Sequence, residues 1–368
     1  MFDDKNIAIV YDWIDKWGGV ERVLLTLHEM FPRAEFYTSY FDTSSAQWAK
    51  NFPLHASFIQ RLPTFIKKSR LLSLVLYPFA FESFNFNSYD LVISVSSSFS
   101  KAIITKPDTK HICYLLTPTR YLWSHVEEYQ GSLKNISSLY SDYLKKCDLV
   151  ASQRPDSIIS ISETVAKRCK KYYKRSSEVI YPPFDTDYWS SLKIKDERLK
   201  MKDNKFFLVV SRLEPYKKID LAVKVFNDLP NELLIIVGQG TQEKKLREMA
   251  NKNIGFISYI PDEELVRLYS QAEALIMPQE EDFGYVSLEA QFFGCPVIAF
   301  GKGGAQETAL TNKTGLFFSE QSISSLSRIL EEFHTISYNL KLQTERLGRK
   351  NVERFSKRKF IEQFTSKL

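Results

Sequence analysis

The chain has 368 residues, of which 44% are hydrophobic and 26% charged, with a formal net charge of +6. That length is generous for one core and comfortable for two domains, and the composition is that of a soluble globular protein. So small a basic excess, without a zinc, helix-turn-helix or aromatic RNA-binding signature, excludes nucleic acid as an expected partner.

In chain order, the acidic start Met1-Phe2-Asp3-Asp4-Lys5-Asn6 runs straight into a strand, Ile7 to Tyr11, with no signal peptide visible. A turn through Gly18-Gly19 follows, then a helical pattern with Val20, Val23, Leu24 and Leu27 on one face. The stretch from Phe58 to Phe84 mixes Arg61, Lys67, Lys68 and Arg70 with Phe65, Ile66, Leu71, Leu72, Leu74, Val75 and Leu76. Such a segment suits a membrane interface or an amphipathic helix packed on its own domain, and the sequence leaves both open. Further strands are expected at Leu91 to Val95, His111 to Leu115 and Ser157 to Ile161, the last leading into a helix from Glu163 to Tyr173. Short apolar strands alternating with amphipathic helices predict a parallel sheet covered on both faces.

Tyr181-Pro182-Pro183-Phe184 ends that pattern, and the polar, Lys-rich stretch Ser190 to Lys205 reads as a linker. The alternation then restarts with a strand at Phe206 to Val210. A helix follows with Leu221, Ala222, Val225, Phe226 and Leu229 on one side, then a strand at Leu233 to Val237 and a turn at Gly238-Gln239-Gly240. After a charged helix through Ala250 come a strand at Ile254 to Ile257, a helix from Asp262 to Gln271 and a strand at Ala274 to Met277. A last strand, Pro296 to Phe300, leads into Gly303-Gly304. Two doubly wound α/β domains facing each other would place a ligand at the carboxyl ends of their strands. The longest nearly apolar run, Leu71 to Phe81, is far too short to cross a bilayer.

Charge and cysteines add two expectations. Residues 1–195 hold 25 Lys/Arg against 20 Asp/Glu, and the remainder 25 against 24, so the first half is the basic one. That balance fits a weak attraction to an anionic membrane or an acidic acceptor, and equally an ordinary solvated surface. Cys113, Cys147, Cys169 and Cys295 are widely spaced without a Cys-x2-Cys pair, which predicts a cytoplasmic setting with neither a zinc site nor a disulfide framework.

The segment from Pro278 to Glu307 carries the chemistry. Glu281 stands just before a helix opened by Gly284, Glu289 stands on that helix, and Gly303-Gly304 opens a second one. Two helix starts offer unpaired backbone N–H groups and positive ends to a diphosphate, and the carboxylates suit sugar hydroxyls. A carboxylate at Glu289 can accept both ribose hydroxyls while the helix start faces the phosphates. Glu280 and Asp282 read as solvated loop carboxylates. Asp12 and Asp15, on the loop after the first strand, are candidate contacts for an acceptor hydroxyl. Asp185-Thr186-Asp187 matches a metal-binding triplet of another transferase fold, but it follows a Pro-Pro turn and reads as a decoy.

The spacing Glu281-x7-Glu289 resembles the Glu-x7-Glu signature of retaining glycosyltransferase family 4, which has the GT-B fold. The run Ser211-Arg212-Leu213-Glu214-Pro215-Tyr216-Lys217 looks like that family's Arg-x4-Lys phosphate motif, and Gly18-Gly19-Val20-Glu21-Arg22 looks like its N-terminal glycine-rich turn. Thr117-Pro118-Thr119-Arg120-Tyr121-Leu122-Trp123 resembles a loop of its GDP-mannose-using, O-antigen-type members. Those commonly carry His two residues before the Pro, where this chain has Leu116. His111 and His125 lie nearby but are not equivalent positions.

The resemblance implies two Rossmann-like domains. Residues 1–195 would bind acceptor, with the tail 351–368 packing back on them through Phe355, Phe360, Ile361 and Phe364, and residues 196–350 would bind the nucleotide sugar. It implies that Arg212 and Lys217 contact the diphosphate in place of a metal, that Glu281 sits by the donor sugar, and that Gly18 and Gly19 approach a phosphate. It also implies that the N–H groups of Asp282, Phe283 and Gly284 bind donor oxygens, that Glu289 binds donor, and that Arg120 sits on the acceptor side. The implied activity is metal-independent, cofactor-free, retaining transfer of a hexose to a saccharide or lipid-linked acceptor in bacterial surface-polysaccharide assembly. Mannose from GDP-mannose is the leading donor. The implied setting is cytoplasmic or at the inner membrane surface. A UDP-sugar donor, a nucleotide-sugar 2-epimerase and a non-catalytic sugar-nucleotide binder are the rivals.

Overall fold

The computed structural model describes residues 5–124, 138–192 and 205–368. It divides into two compact units, Met1–Pro183 with Phe360–Leu368, and Phe184–Lys359. The first holds a seven-stranded sheet in the order β3-β2-β1-β4-β5-β6-β7. Its strands are β1 (Ile7–Tyr11), β2 (Glu35–Thr38), β3 (Leu54–Ala56), β4 (Leu91–Ser96), β5 (Lys110–Leu115), β6 (Ser157–Ser160) and β7 (Glu178–Val179). The second holds a six-stranded sheet, β10-β9-β8-β11-β12-β13. Its strands are β8 (Phe206–Val210), β9 (Leu233–Val237), β10 (Ile254–Ile257), β11 (Leu275–Met277), β12 (Val297–Phe300) and β13 (Gly315–Phe318). Every strand pair is parallel, which is why the central strands are apolar on both faces: β1, β4, β11 and β12 are buried at every residue.

The helices are read from the same pattern. In Val20–Met30 the residues Val23, Leu24 and Leu27 are buried, and in Ile219–Asn227 the residues Leu221, Ala222, Val225 and Phe226 are. The helix Glu163–Tyr173 is capped by Ser162, whose side chain accepts from the Val165 N–H at 3.1 Å. Strands β2, β3, β7 and β13 go unannounced in the sequence; β3, β7 and β13 are sheet edges, and β3 and β7 have only three and two residues with none fully buried.

The unit boundary falls earlier than the Lys-rich stretch suggests. Phe184 stacks on Trp189 with centroids 6.1 Å apart and packs on Phe292 at 5.7 Å, so 184–192 belongs with the second unit. Residues 193–204 of the expected linker lie outside the described residues. At the other end only Phe360–Leu368 joins the first unit, where Phe360 and Phe364 lie against Tyr114 at 5.7 and 5.9 Å. Phe355, expected on that face, instead meets Phe283 edge-on at 5.5 Å within the second unit. Asp185 of the Asp-x-Asp triplet caps the helix Thr186–Ser191, accepting from the Tyr188 N–H at 2.9 Å and from Lys357 at 3.2 Å.

Candidate active site

In the second sheet the chain runs outward from β8 to β10 and then returns to place β11 on the other side of β8. From β8 and from β11 the chain therefore proceeds toward opposite edges of the sheet, and such a reversal is where open α/β sheets bind ligands. The loop after β8 carries Arg212 and Lys217, and the loop after β11 carries Glu281. The two loops meet there. The Lys217 ammonium donates to Glu281 Oε1, which also accepts from Gln279 Nε2 at 2.7 Å. Both side chains of the ion pair are mostly buried, at 12% and 14% exposure. Arg212 is exposed, and its Nη2 donates to the Tyr216 hydroxyl at 2.7 Å.

Neighbouring loops lock this pair in place. Beyond β12, the Gly304 N–H donates to the Glu281 carbonyl at 2.7 Å. Gly303 has φ +82°, and a Cβ there would lie 2.3 Å from the same carbonyl oxygen, so only glycine fits. Beyond β9, Gly238 has φ +142° and would bring a Cβ to 1.9 Å from the Ser211 carbonyl oxygen. The β9 and β8 ends, and the β12 and β11 ends, thus approach through backbone contacts that require glycine, while the Lys217–Glu281 pair links β8 to β11.

Gly284 caps the helix Tyr285–Phe292, whose first turn opens next to Glu281. Phe283 is buried between Tyr285, at 5.2 Å, and Phe355. Asp282 is 6% exposed, so the reading of its carboxylate as a solvated loop group is corrected by burial. Glu289 is 3% exposed and accepts a 2.8 Å hydrogen bond at Oε2 from the Tyr269 hydroxyl. Tyr269 lies on the helix Asp262–Gln271 and fixes that carboxylate. Sequence reasoning missed it, because twenty residues and a strand separate the two.

In the first unit the candidates divide. Gly19 caps the helix Val20–Met30, and Gly18 lies one residue before it. Asp15 accepts from the Tyr40 hydroxyl at 2.8 Å. Arg120 is half-buried at the start of the helix Arg120–Trp123. Asp12 does not fit its expected role on an acceptor: it is fully buried at the end of β1. There it accepts from the Ser97 N–H at 2.7 Å, the Ser97 hydroxyl at 3.0 Å and the Ser100 N–H at 2.8 Å. Burial raises its pKa against the lowering effect of those bonds. Asp12 is thus the tie between the β1 and β4 loops.

A second missed group lies under the 117–123 loop. Lys101 and Asp148, 1% and 0% exposed, pair at 2.6 Å. Asp148 also accepts from Thr119 Oγ1 at 2.8 Å, Trp123 Nε1 at 2.7 Å and Tyr173 OH at 2.8 Å. Every partner is a hydrogen-bond donor, so the buried carboxylate is satisfied and the loop is pinned. His111 is fully buried, bonded to Ser94 at 2.8 Å, and burial lowers its pKa to about 3. It is a neutral core residue, and His125 lies outside the described residues.

Residues 17–188 match the model of Glycosyltransferase Family 4, and residues 190–351 that of Glycosyl transferases group 1. The chain belongs to the family 4 glycosyltransferases. A GDP-mannose-dependent monoacylated alpha-(1-6)-phosphatidylinositol monomannoside mannosyltransferase of Corynebacterium glutamicum is 34% identical over 33% of this chain and 36% of that relative. The chain thus spans about a third of the curated relative it matches there. Alpha-1,3/1,6-mannosyltransferase ALG2 of Candida glabrata is 23% identical over 95% of this chain and 90% of its own. The crystal structure of HepE from Anabaena, in complex with UDP and glucose, superposes with TM-score 0.72 at 19% identity, covering 99% of both chains. The fold is GT-B, with two parallel-sheet Rossmann-like units.

Proposed function

We propose that this family 4 chain is a retaining hexosyltransferase that moves mannose from GDP-mannose to a saccharide acceptor, lipid-linked and part of bacterial surface-polysaccharide assembly. The observation that carries the proposal is the Lys217–Glu281 pair at the β8/β11 reversal, with Arg212 beside it and the helix start at Gly284 next to it. Two cations and a helix N-terminus suit a leaving diphosphate, and a carboxylate suits the sugar it carries. The mannosyltransferase names of the two relatives support the choice of sugar.

In the reaction proposed, the bond between the anomeric carbon and the phosphate oxygen breaks, and the acceptor oxygen bonds to that carbon from the same face. The acceptor proton passes to the leaving phosphate. Lys217 and Arg212 neutralise the charge growing on the diphosphate, which is the part a metal plays in other transferases. The proposal therefore includes no metal. Among the described residues, no three or more His, Cys, Asp or Glu side chains group to hold one. Glu289, fixed by Tyr269, is assigned to the ribose, and Glu281 to the hexose. Among the described residues no helix is long and apolar enough to cross a membrane. The proposed setting is the cytoplasmic face of a membrane that presents the acceptor.

Calorimetric titration of GDP, UDP and GDP-mannose in EDTA, against the native chain and Lys217→Ala, tests the reading. GDP binding that survives chelation and collapses in the variant is the expected result. Preference for UDP would replace the donor, and binding of none would overturn the function.

A further inference from the structure

The segment Phe58–Glu82 has two apolar faces, and its own domain covers one of them. Helix Arg70–Ser73 continues through a turn into helix Tyr77–Glu82. Leu74, Tyr77 and Phe81 are 3%, 1% and 0% exposed and join the core of the first unit. Leu72, Val75 and Phe79 repeat the same spacing two residues earlier and are 51%, 42% and 50% exposed. A shift of two residues at about 100° each turns one face nearly opposite the other. Phe58 and Phe65, at 42% and 69%, lie in the short helices Phe58–Arg61 and Thr64–Lys67 that precede them. Five of the fourteen exposed large hydrophobic residues among the described residues thus fall within this one segment.

Charge selects the occupant. From Thr43 to Phe81 the sequence contains no Asp or Glu, while Lys50, Arg61, Lys67, Lys68 and Arg70 fall within it. Lys68 is tied to Asp42 at 2.9 Å, and the Lys67 ammonium donates to the Gln60 carbonyl at 3.3 Å. Arg61 is exposed. A second copy of the chain would bring like charges together on this face. An anionic bilayer supplies both an apolar interior for the rings and headgroup charge for the cations.

We infer that Phe58, Phe65, Leu72, Val75 and Phe79 form a docking face that inserts into the interface of an anionic lipid membrane. It deepens the proposed function by naming how the chain reaches a lipid-linked acceptor, yet membrane docking is measured without any transfer reaction. Vesicles of phosphatidylcholine alone, and with one third phosphatidylglycerol, are sedimented with the full chain at low and high salt. The native chain binds the anionic vesicles and releases at high salt. The L72S/F79S double variant loses at least about tenfold in partition, and Arg61→Gln about fivefold. GDP affinity and circular dichroism stay unchanged in these variants, because the altered side chains face solvent.

Three results would overturn the inference: equal binding to neutral vesicles, undiminished binding by L72S/F79S, or a native dimer in light scattering that L72S/F79S turns into a monomer. Loss of nucleotide binding with intact docking would remove only the proposed function.

Discussion

Replacing Lys217 by Met and Glu281 by Gln, singly and together, separates what the pair does for the fold from what it does for a ligand. With 12% and 14% of the side chains exposed, the pair lies between surface ion pairs and fully buried ones. Breaking it from one side then costs about 1–3 kcal/mol, and the double variant recovers part of that. Nucleotide binding behaves differently. If Lys217 leaves Glu281 to meet a phosphate, its removal forfeits a charge-assisted bond of about 1.5–3 kcal/mol, or roughly 10- to 150-fold in GDP affinity. Glu281→Gln removes a carboxylate that competes for the ammonium, so GDP binds equally or more tightly while hexose transfer falls. Urea denaturation gives the first quantity, and calorimetry with GDP in EDTA gives the second. Equal losses of GDP affinity in both single variants would refute the reasoning, because they would make the ion pair itself the binding element.

Gly303→Ala forces a Cβ to 2.3 Å from the Glu281 carbonyl oxygen at φ +82°. It should cost about 2–4 kcal/mol in denaturation and weaken GDP binding with it. Lys101→Met leaves the Asp148 carboxylate buried without its cation and should cost about 3–5 kcal/mol, with a large part restored by adding Asp148→Leu. A loss below about 1 kcal/mol would show that the surrounding hydroxyls suffice. His111 has its pKa lowered to about 3 from 6.5, so its unfolded form binds a proton first as pH falls. Its contribution is fully present above about 6.5 and is lost towards 3, amounting to about 2 kcal/mol between pH 7 and pH 5. Against a His111→Gln variant, the native chain should therefore lose its stability advantage over that range in urea titrations.

The alternating strands and the parallel sheets could be read from the sequence alone. Long apolar runs such as Leu233–Val237 and helical periods such as Glu163–Tyr173 are local signals. Arg212, Lys217, Glu281 and Glu289 were singled out by their resemblance to the family's Arg-x4-Lys and Glu-x7-Glu motifs. Which of these residues touch was decided only by the tertiary structure, since contact depends on strand order: β11 lies beside β8, so Lys217 meets Glu281 across 64 residues. For the same reason Asp12, promising on its loop, is consumed by Ser97 and Ser100 of the loop after β4, and Tyr269 comes to hold Glu289. The boundary at Phe184 followed aromatic packing on Phe292 rather than the change in composition. From Leu72 to Phe81 the sequence is apolar at every position but Ser73. Only the core beneath it decided that Leu74, Tyr77 and Phe81 face inward and that Leu72, Val75 and Phe79 face water.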